Sequence, residues 1–549
     1  MQATAVQSCD ILFTGSKRWI VRILPSLTDL VFLLPILILF ALLPGARQLL
    51  QDAGTGWHIR VGEWILKNGR VPTEDLFSFT KAHQAWFAWE WAWDVLAAWI
   101  HHAGGLAGVV LANVLILSVV AVLEFRLIRR FCENDIVSLF LTAIAVAGST
   151  IHWLARPHLL SWVFFLAFAH AIFSAEEGKR KPLYWVPLLM VLWTNLHGSF
   201  IFGLVMLAIS AFAPWLDVAL ANADVAEAWT KSRPYFACTL TCFAVTFINP
   251  YGWRLHQHVL SYLSDGKQID AIQEFQSISF HHGPAILFEA ILILGCAAMF
   301  WCVQHRRWTG LLSLLLWTHM ALFAVRNVPL FLFLATPWIG CMAAGAIGCL
   351  KRLPWLASVT TSARNVAAEF RPIERMERLY AVSALGLIWV ALNLASSRIE
   401  FDPKEFPAGS VPMIEHLGAK RILTTDQWGS YLIYQLYPKT RVFIDDRSDF
   451  YGLDLMNRTA RVLNGRWDWE TDLKRFSVDM VIVKPEMPVA TLLKGSRQWR
   501  PVFDDGSVTV FAATSASAQQ EIAEAKRNSA VANNGRNELG VREGLQAGQ

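Results

Sequence analysis

Charge is scarce in this sequence. Asp, Glu, Lys and Arg make up 17% of 549 residues while 54% are hydrophobic, and mean hydropathy is +0.38. That balance excludes an ordinary soluble chain and fits a polytopic membrane protein with room for one soluble domain. Net charge is only +5, so nothing points to nucleic acid. Metal-binding and disulfide cysteine patterns are also missing. Cys9, Cys132, Cys238, Cys242, Cys296, Cys302, Cys341 and Cys349 lie in or near apolar segments, none at metal-site spacing and none in the hydrophilic C-terminal third. Neither a zinc site nor a disulfide framework is expected, and the cysteines read as packing. A signal-peptide cleavage site is lacking as well: Lys17, Arg18 and Arg22 precede an apolar run too long for a signal peptide, so the first span is expected to be retained. No internal repeat is evident.

Tryptophan is abundant, 25 in all, as suits the interfacial belts of many spans. Apolar segments long enough to cross recur at Leu30–Leu49, Gly105–Ile128, Ile136–Leu154, Leu159–Ala175, Leu183–His197, Phe200–Leu220, Tyr235–Ile248, Ala285–Val303, Leu311–Val325, Pro329–Leu350 and Tyr380–Ala395. About eleven spans follow by the length criterion. Trp86–His101 is a further apolar stretch whose Glu90 and Asp94 argue for a re-entrant or interfacial helix. With the N-terminus cytoplasmic, Arg126, Arg129, Arg130, Lys179 to Lys181, Lys231, Arg233, Arg306, Arg307 and the run Lys351 to Arg378 all fall on the cytoplasmic side, as the positive-inside rule requires.

The expected organisation is a cytoplasmic segment 1–27, a transmembrane domain 28–397 with a first outer loop 51–104, an extracytoplasmic α/β domain 398–513 and a disordered tail 514–549. In the α/β domain, strands are expected near Arg421–Thr424, Thr440–Ile444, Met480–Val483, Pro501–Phe503 and Ser507–Phe511, with helices between them. The cluster Asp426 to Tyr431 and the string Asp445-Asp446-Arg447-Ser448-Asp449 sit where strands end. Such positions carry ligand contacts in α/β sheets, though a helix cap at Asp426 and a salt-bridged turn around Arg447 are the readings favoured for each. The tail lacks periodicity and is rich in Ala, Asn, Gly, Gln and Glu.

The densest polar signal follows the first apolar run, from Gln51 to Thr80. Asp52 stands alone at the mouth of a span, two glycines lead to Trp57 and His58, and Ile59, Gly62, Ile65 and Leu66 then share one helical face opposite Arg60, Glu63 and Lys67. The pattern reads as a helix lying in the membrane interface, stopped by Asn68-Gly69. On the same outer side fall Glu90, Arg156-Pro157-His158, Asn195-Leu196-His197-Gly198, Asn249-Pro250-Tyr251-Gly252, Glu274, His281-His282 and Arg326-Asn327-Val328-Pro329. Charged and amide groups at membrane depth are expensive and usually face a cavity or site, so Arg156 and Arg326 are expected to approach a common cavity. Structural roles compete for each: snorkelling arginines before a first-turn proline, interhelical hydrogen bonds at Asn195 and His197, a plain turn at Asn249.

These features together resemble the GT-C superfamily of integral-membrane glycosyltransferases, which includes protein mannosyltransferases, aminoarabinose transferases and oligosaccharyltransferase catalytic subunits. Trp57-His58 with Gly62, Pro72, Asp75 and Ser78, then Arg156-Pro157, Asn195 to Gly198, Asn249 to Gly252 and Arg326 to Pro329 look like a group of uncharacterised bacterial members, over most of the chain from Leu30 to Ala513. The resemblance implies a polyprenyl-phosphate-linked sugar donor entering from the membrane and an acceptor (glycan, lipid or protein) reaching the site from outside, in the inner membrane of a cell that builds its envelope with such lipids. Asp52 matches the family's first-loop acid, but Gln51 and Ala53 flank it, so the paired-acid version is absent and no metal ligand is assigned; a divalent cation, Mg or Mn, stays open. The implied roles are Asp52 as acceptor base, His58 as second base or phosphate ligand, and Arg156 and Arg326 as a clamp on the donor phosphate. Glu90, His158, Asn195, His197, Asn249, Tyr251, Glu274 and Asn327 complete the candidates. A transporter or flippase of a lipid-linked sugar and a non-enzymatic envelope-assembly protein remain the competing classes; a transporter would be expected to carry inverted repeats.

Overall fold

The computed structural model describes residues 22–514 except 133, 271, 282, 284 and 351–378. The N-terminal segment up to 21, the basic run 351–378, His282 and the tail 515–549 lie outside the described residues. The chain divides into two compact units, one of Met1–Gln51 with Trp89–Glu400 and one of Asp52–Ala88 with Phe401–Gln549.

The first unit is helical and apolar, and the protein is a multi-pass membrane protein. Among the described residues six helices are long and apolar enough to cross a bilayer: Trp91–Phe131, Asp135–His152, His158–Glu176, Gly198–Ala221, Ala285–Gln304 and Val325–Ala346. Leu27–Leu42, Trp308–Phe323 and Ala381–Ala395 are apolar but shorter, at about 24 Å or less against a hydrocarbon core of about 30 Å. The remaining two of the eleven expected segments differ in shape. Leu183–His197 becomes a 3-10 turn and the eleven-residue helix Val186–Leu196. Tyr235–Ile248 becomes the end of helix Val225–Val245, whose first half carries Glu227, Lys231 and Arg233. The expected interfacial helix at Trp86–His101 starts at Trp91 and runs into the next span as one helix of 41 residues. A kink at Gly104 and Gly105 divides it, and the φ of +59° at Gly105 is one that only glycine adopts easily.

Two features fix this unit. Ser26 and Asp29 form a reciprocal capping box at the start of Leu27–Leu37, and Asp29 Oδ1 also accepts from the backbone N–H (3.1 Å) and hydroxyl (2.5 Å) of Ser383. The first and last described membrane helices are thereby joined. Val328–Leu350 is the central helix, packed against Trp91–Phe131, Asp135–Gly148, Ala285–Gln304 and Trp308–Phe323. Leu330 to Trp338 are buried on every face, as expected of an interior helix without a polar stripe. Its N-terminus, where Arg326 and Asn327 sit, is therefore held rigidly.

The second unit is built on a five-stranded sheet in the order β2-β1-β3-β5-β4, with β1 Arg421–Leu423, β2 Arg441–Val442, β3 Met480–Val483, β4 Trp499–Asp504 and β5 Thr509–Ala513. β1 pairs with β2 and β3 in parallel, and β5 pairs with β3 and β4 antiparallel. Every residue of β3 is buried, as a central strand covered on both faces requires. The sheet matches the strands expected from alternation, and helix Asp426–Leu436 is capped by Thr425, one residue before the expected Asp426.

The first outer loop departs most from expectation. Asp52–Ala88 folds into the second unit. Helix Gly54–Asn68 buries its apolar face in this unit: Gly54 to Ile59, Val61, Gly62 and Ile65 are buried, and it packs on helix Asp426–Leu436. Arg60 donates to the Tyr434 carbonyl, with Nε at 2.8 Å. Downstream, the Val442 N–H donates to Phe77 O (3.1 Å) and the Phe79 N–H to Val442 O (3.2 Å), so Phe77 to Phe79 extends the sheet beside β2. An amphipathic helix needs an apolar partner, and a protein surface serves as well as a membrane.

Candidate functional site

Within the membrane unit, a narrow cleft is lined by Arg326, Asn327, His152, His158, His197, Ser161 and Ser199, with Trp162, Trp193, Phe202 and Leu330 as apolar walls. Three separate connections supply these groups. His152 ends the 3-10 turn after Asp135–Gly148, and His158 opens the next helix; their rings lie 4.2 Å apart, with His158 Nε2 2.9 Å from His152 O. His197 caps the 3-10 turn Gly198–Phe200, and Arg326 lies in the turn leading into the central helix.

Hydrogen bonds order the imidazole of His197. Its Nδ1 is 2.9 Å from Ser161 Oγ and 2.7 Å from Ser199 Oγ, Trp193 Nε1 donates to Ser161 Oγ at 2.9 Å, and Nε2 lies 3.4 Å from Glu90 Oε1. On the opposite wall Arg326 Nη1 is 3.8 Å from Glu274 Oε2, its guanidinium stands 4.7 Å from the Phe275 ring, and the Val325 N–H donates to Gln276 O at 2.8 Å. Glu274 Oε2 is also 3.7 Å from His152 Nε2. Burial works to raise the Glu274 carboxyl, but Arg326 and then Arg156 outweigh it and hold the group below its usual range. Both arginines thus act on one carboxylate. Fixed cations beside hydroxyl, amide and imidazole groups, walled by tryptophan, form a pocket suited to an anion with an apolar attachment.

Other candidates in this unit have plainer roles. Asn195 accepts from Trp91 Nε1 (2.9 Å) and donates to the carbonyls of Val191 and Ile248 (both 2.8 Å), tying three segments together. Asn249 closes a turn, accepting the Tyr251 N–H at 2.8 Å and donating to Thr246 O at 2.7 Å.

Asp52 and His58 belong to the second unit. Asp52 Oδ1 accepts the Gly54 N–H at 2.7 Å, and the next N–H, of Ala53, donates to Gln427 Oε1 at 3.2 Å. The Asp52 turn is therefore held by helix Asp426–Leu436. His58 is fully buried and stacks on Trp57 with ring centroids 3.7 Å apart. Asp426 is pushed above the ordinary carboxyl range by burial, with Asp52 adding to the effect. Among the described residues no group of three or more His, Cys, Asp or Glu side chains is arranged to hold a metal ion.

Sequence reasoning did not single out His152, Ser161 or Ser199. The only available signal was position: His152 lies four residues before Arg156, and Ser161 one helical turn after His158. Arg447, read as a salt-bridged turn, does pair with Asp445, through Nε at 2.7 Å and Nη2 at 2.7 Å.

No protein-family model and no curated protein matches the sequence. Among solved structures the chain is similar to the archaeal oligosaccharyltransferase AglB from Archaeoglobus fulgidus in complex with an inhibitory peptide and a dolichol-phosphate, with a TM-score of 0.57 and 9% identity over 84% of this chain and 69% of that one. A complex of the Archaeoglobus fulgidus oligosaccharyltransferase with Zn and sulfate gives 0.54 and 11% over 84% and 68%. The chain has the GT-C fold. ArnT from Cupriavidus metallidurans, bound to undecaprenyl phosphate, aligns over 91% of this chain and 99% of that one at 12% identity and a TM-score of 0.38. GT-C architecture accounts for the pairing of an apolar helical unit with a C-terminal sheet domain; at these identities the likeness concerns the fold and leaves chemistry to the residues.

Proposed function

We propose that this protein is a membrane glycosyltransferase that moves a sugar from a polyprenyl-phosphate-linked donor to an extracytoplasmic acceptor, a glycan, lipid or protein, with inversion at the anomeric carbon. The observation that carries this reading is the cleft of the membrane unit, where Arg326 stands among three histidines and two serines and Arg156 shares its influence on Glu274. A glycosyl phosphate already carries a good leaving group, so the protein needs positive charge for the departing phosphate and a base for the acceptor hydroxyl. Arg326 and Arg156 receive the phosphate, and Asn327, His158 and His197 complete its surroundings. Asp52 takes the acceptor proton as the acceptor oxygen bonds to C1 and the C1–O bond breaks, its electron pair going to the phosphate. His58, buried and stacked on Trp57, is the second base or phosphate ligand of the same reading. The Archaeoglobus fulgidus enzyme is bound to a dolichol-phosphate, and the same class of lipid is proposed for this chain.

The protein is placed in the inner membrane with residues 398–513 outside, on the strength of the basic loops. Reporter fusions after Ser397 are expected to give the outside phenotype, and a cytoplasmic signal would reverse the orientation. The function is tested with the purified full chain in nanodiscs, supplied with polyprenyl-phosphate sugars and envelope extract. Donor consumption with labelled product is expected; lipid-phosphate binding that is equal in wild type and Arg326→Gln would refute the assigned cleft.

A further inference from the structure

Two stretches of chain more than 300 residues apart build the second unit, and one side chain joins them. Arg447 is 3% exposed. Its Nε and Nη2 hold both oxygens of Asp445 at 2.7 Å, while Nη2 also reaches Asp75 Oδ1 at 2.8 Å. Tyr451 OH donates to Asp445 Oδ2 at 2.6 Å. Asp75 in turn accepts the N–H groups of Phe77 (3.2 Å) and Ser78 (2.8 Å) and the Ser78 hydroxyl (2.6 Å), fixing the segment that extends the sheet beside β2. Arg447 Nη1 is buried with no hydrogen-bond partner among the described residues; rings surround the guanidinium, with centroids at 4.5 Å for Trp86, 5.0 Å for Phe77 and 5.9 Å for Trp57. Trp57 Nε1 donates to Asp446 Oδ1 at 2.5 Å. Trp57, Asp75, Phe77 and Trp86 all belong to the stretch 52–88. One planar cation therefore grips that stretch at both ends, by an ion pair and by ring faces.

We propose that Arg447 is a positioning residue: its clamp on Asp75, Trp57 and Trp86 holds the Asp52-bearing segment in register on the C-terminal domain, which serves as the scaffold of the catalytic loop. The effect on turnover rests on the reading of Asp52 as acceptor base; the clamp itself does not. A lysine cannot replace the arginine, because a point charge supplies neither the fork to two carboxylates nor the flat face toward the rings.

The test compares full-length wild type, Arg447→Met, Arg447→Lys and Asp75→Asn in nanodiscs, with Arg458→Met as a control that breaks ion pairs to Asp454 and Asp472 elsewhere in the same domain. Asp75→Asn is near-isosteric and leaves the Arg447–Asp445 pair in place. Amide hydrogen exchange over Trp57 to Trp86 is expected to speed up at least tenfold in Arg447→Met and Asp75→Asn, with β3 unchanged, and Arg447→Lys is expected not to rescue. Sugar transfer is expected to lose kcat by at least tenfold with lipid-phosphate Kd within twofold. Unchanged protection of Trp57 to Trp86 in Arg447→Met would overturn the proposal, as would equal loss in β3 and in this segment for Asp75→Asn. Should wild type transfer no sugar, the proposed function falls while the exchange data still decide the clamp.

Discussion

Glu274 Oε2 lies 3.8 Å from Nη1 of Arg326, the guanidinium that lines the cleft. Carboxylate and lipid phosphate then compete for one cation. Glu274→Gln is expected to tighten lipid-phosphate binding roughly two- to fivefold, the scale of a half-exposed ion pair. Arg326→Gln is expected to weaken it by about 10- to 100-fold, as loss of a charge-assisted contact does. Isothermal titration with a short-chain polyprenyl phosphate checks both; weaker binding in Glu274→Gln would make Glu274 a support of Arg326 and no competitor.

Asp52→Asn is expected to insert, purify and melt like wild type, because the Gly54 N–H that its Oδ1 accepts is accepted by an amide oxygen as well. Turnover is expected to fall about 10²- to 10⁴-fold, the usual cost of losing an acid-base group. Steady-state sugar transfer separates the two, and near-wild-type rates would pass the role to Glu90 or Glu274.

Asp426 gives the second unit a pH response. Burial, with Asp52 adding to it, raises its carboxyl pKa in the folded protein. The folded state then binds the proton more tightly than the unfolded state, so stability falls as pH rises from the ordinary carboxyl value through the raised one. Asp426→Asn is expected to flatten that slope in thermal melts across the acid range. The hydrogen bond from the Gln427 N–H opposes the shift, and a steeper slope in the variant would show that it wins.

At Gly429 a Cβ would stand 2.1 Å from the carbonyl oxygen of Ile444. Backbone cannot step aside as a flexible side chain can, so Gly429→Ala is expected to cost about 1–3 kcal/mol, seen as a lower melting temperature. An unchanged melt would mean that helix Asp426–Leu436 shifts on the sheet without strain.

Much of the fold could be read from the residues because its signals are local. The runs of the membrane unit and the strands at Arg421, Met480 and Thr509 follow from period and length alone. Helix Gly54–Asn68 was legible as a helix but not as part of a soluble core, since its apolar face fits a membrane surface and the helix Asp426–Leu436 equally well; the choice depends on a partner about 370 residues away. Within the cleft, Arg326 and His158 stood out because charge and imidazole next to apolar runs are costly. Ser161 did not, because a serine inside an apolar helix ordinarily bonds its own backbone. Glu274 stood among the candidates, but its nearness to Arg326 and His152 depends on segments far apart in the chain.

The split construction of the second unit sets a timetable for biosynthesis. Residues 52–88 leave the ribosome ahead of roughly 300 others that precede Phe401, a delay of roughly 15–60 s at 5–20 residues per second. During that interval Trp57, Phe77 and Trp86 have no sheet to cover them and Asp75 has no Arg447, while the membrane helices from Trp91 onward are being inserted. A chain stopped anywhere before Arg447 would leave Trp57, Phe77 and Trp86 without the guanidinium they surround and Asp75 without its ion pair, so the first loop reaches its final packing only when the last domain has been made.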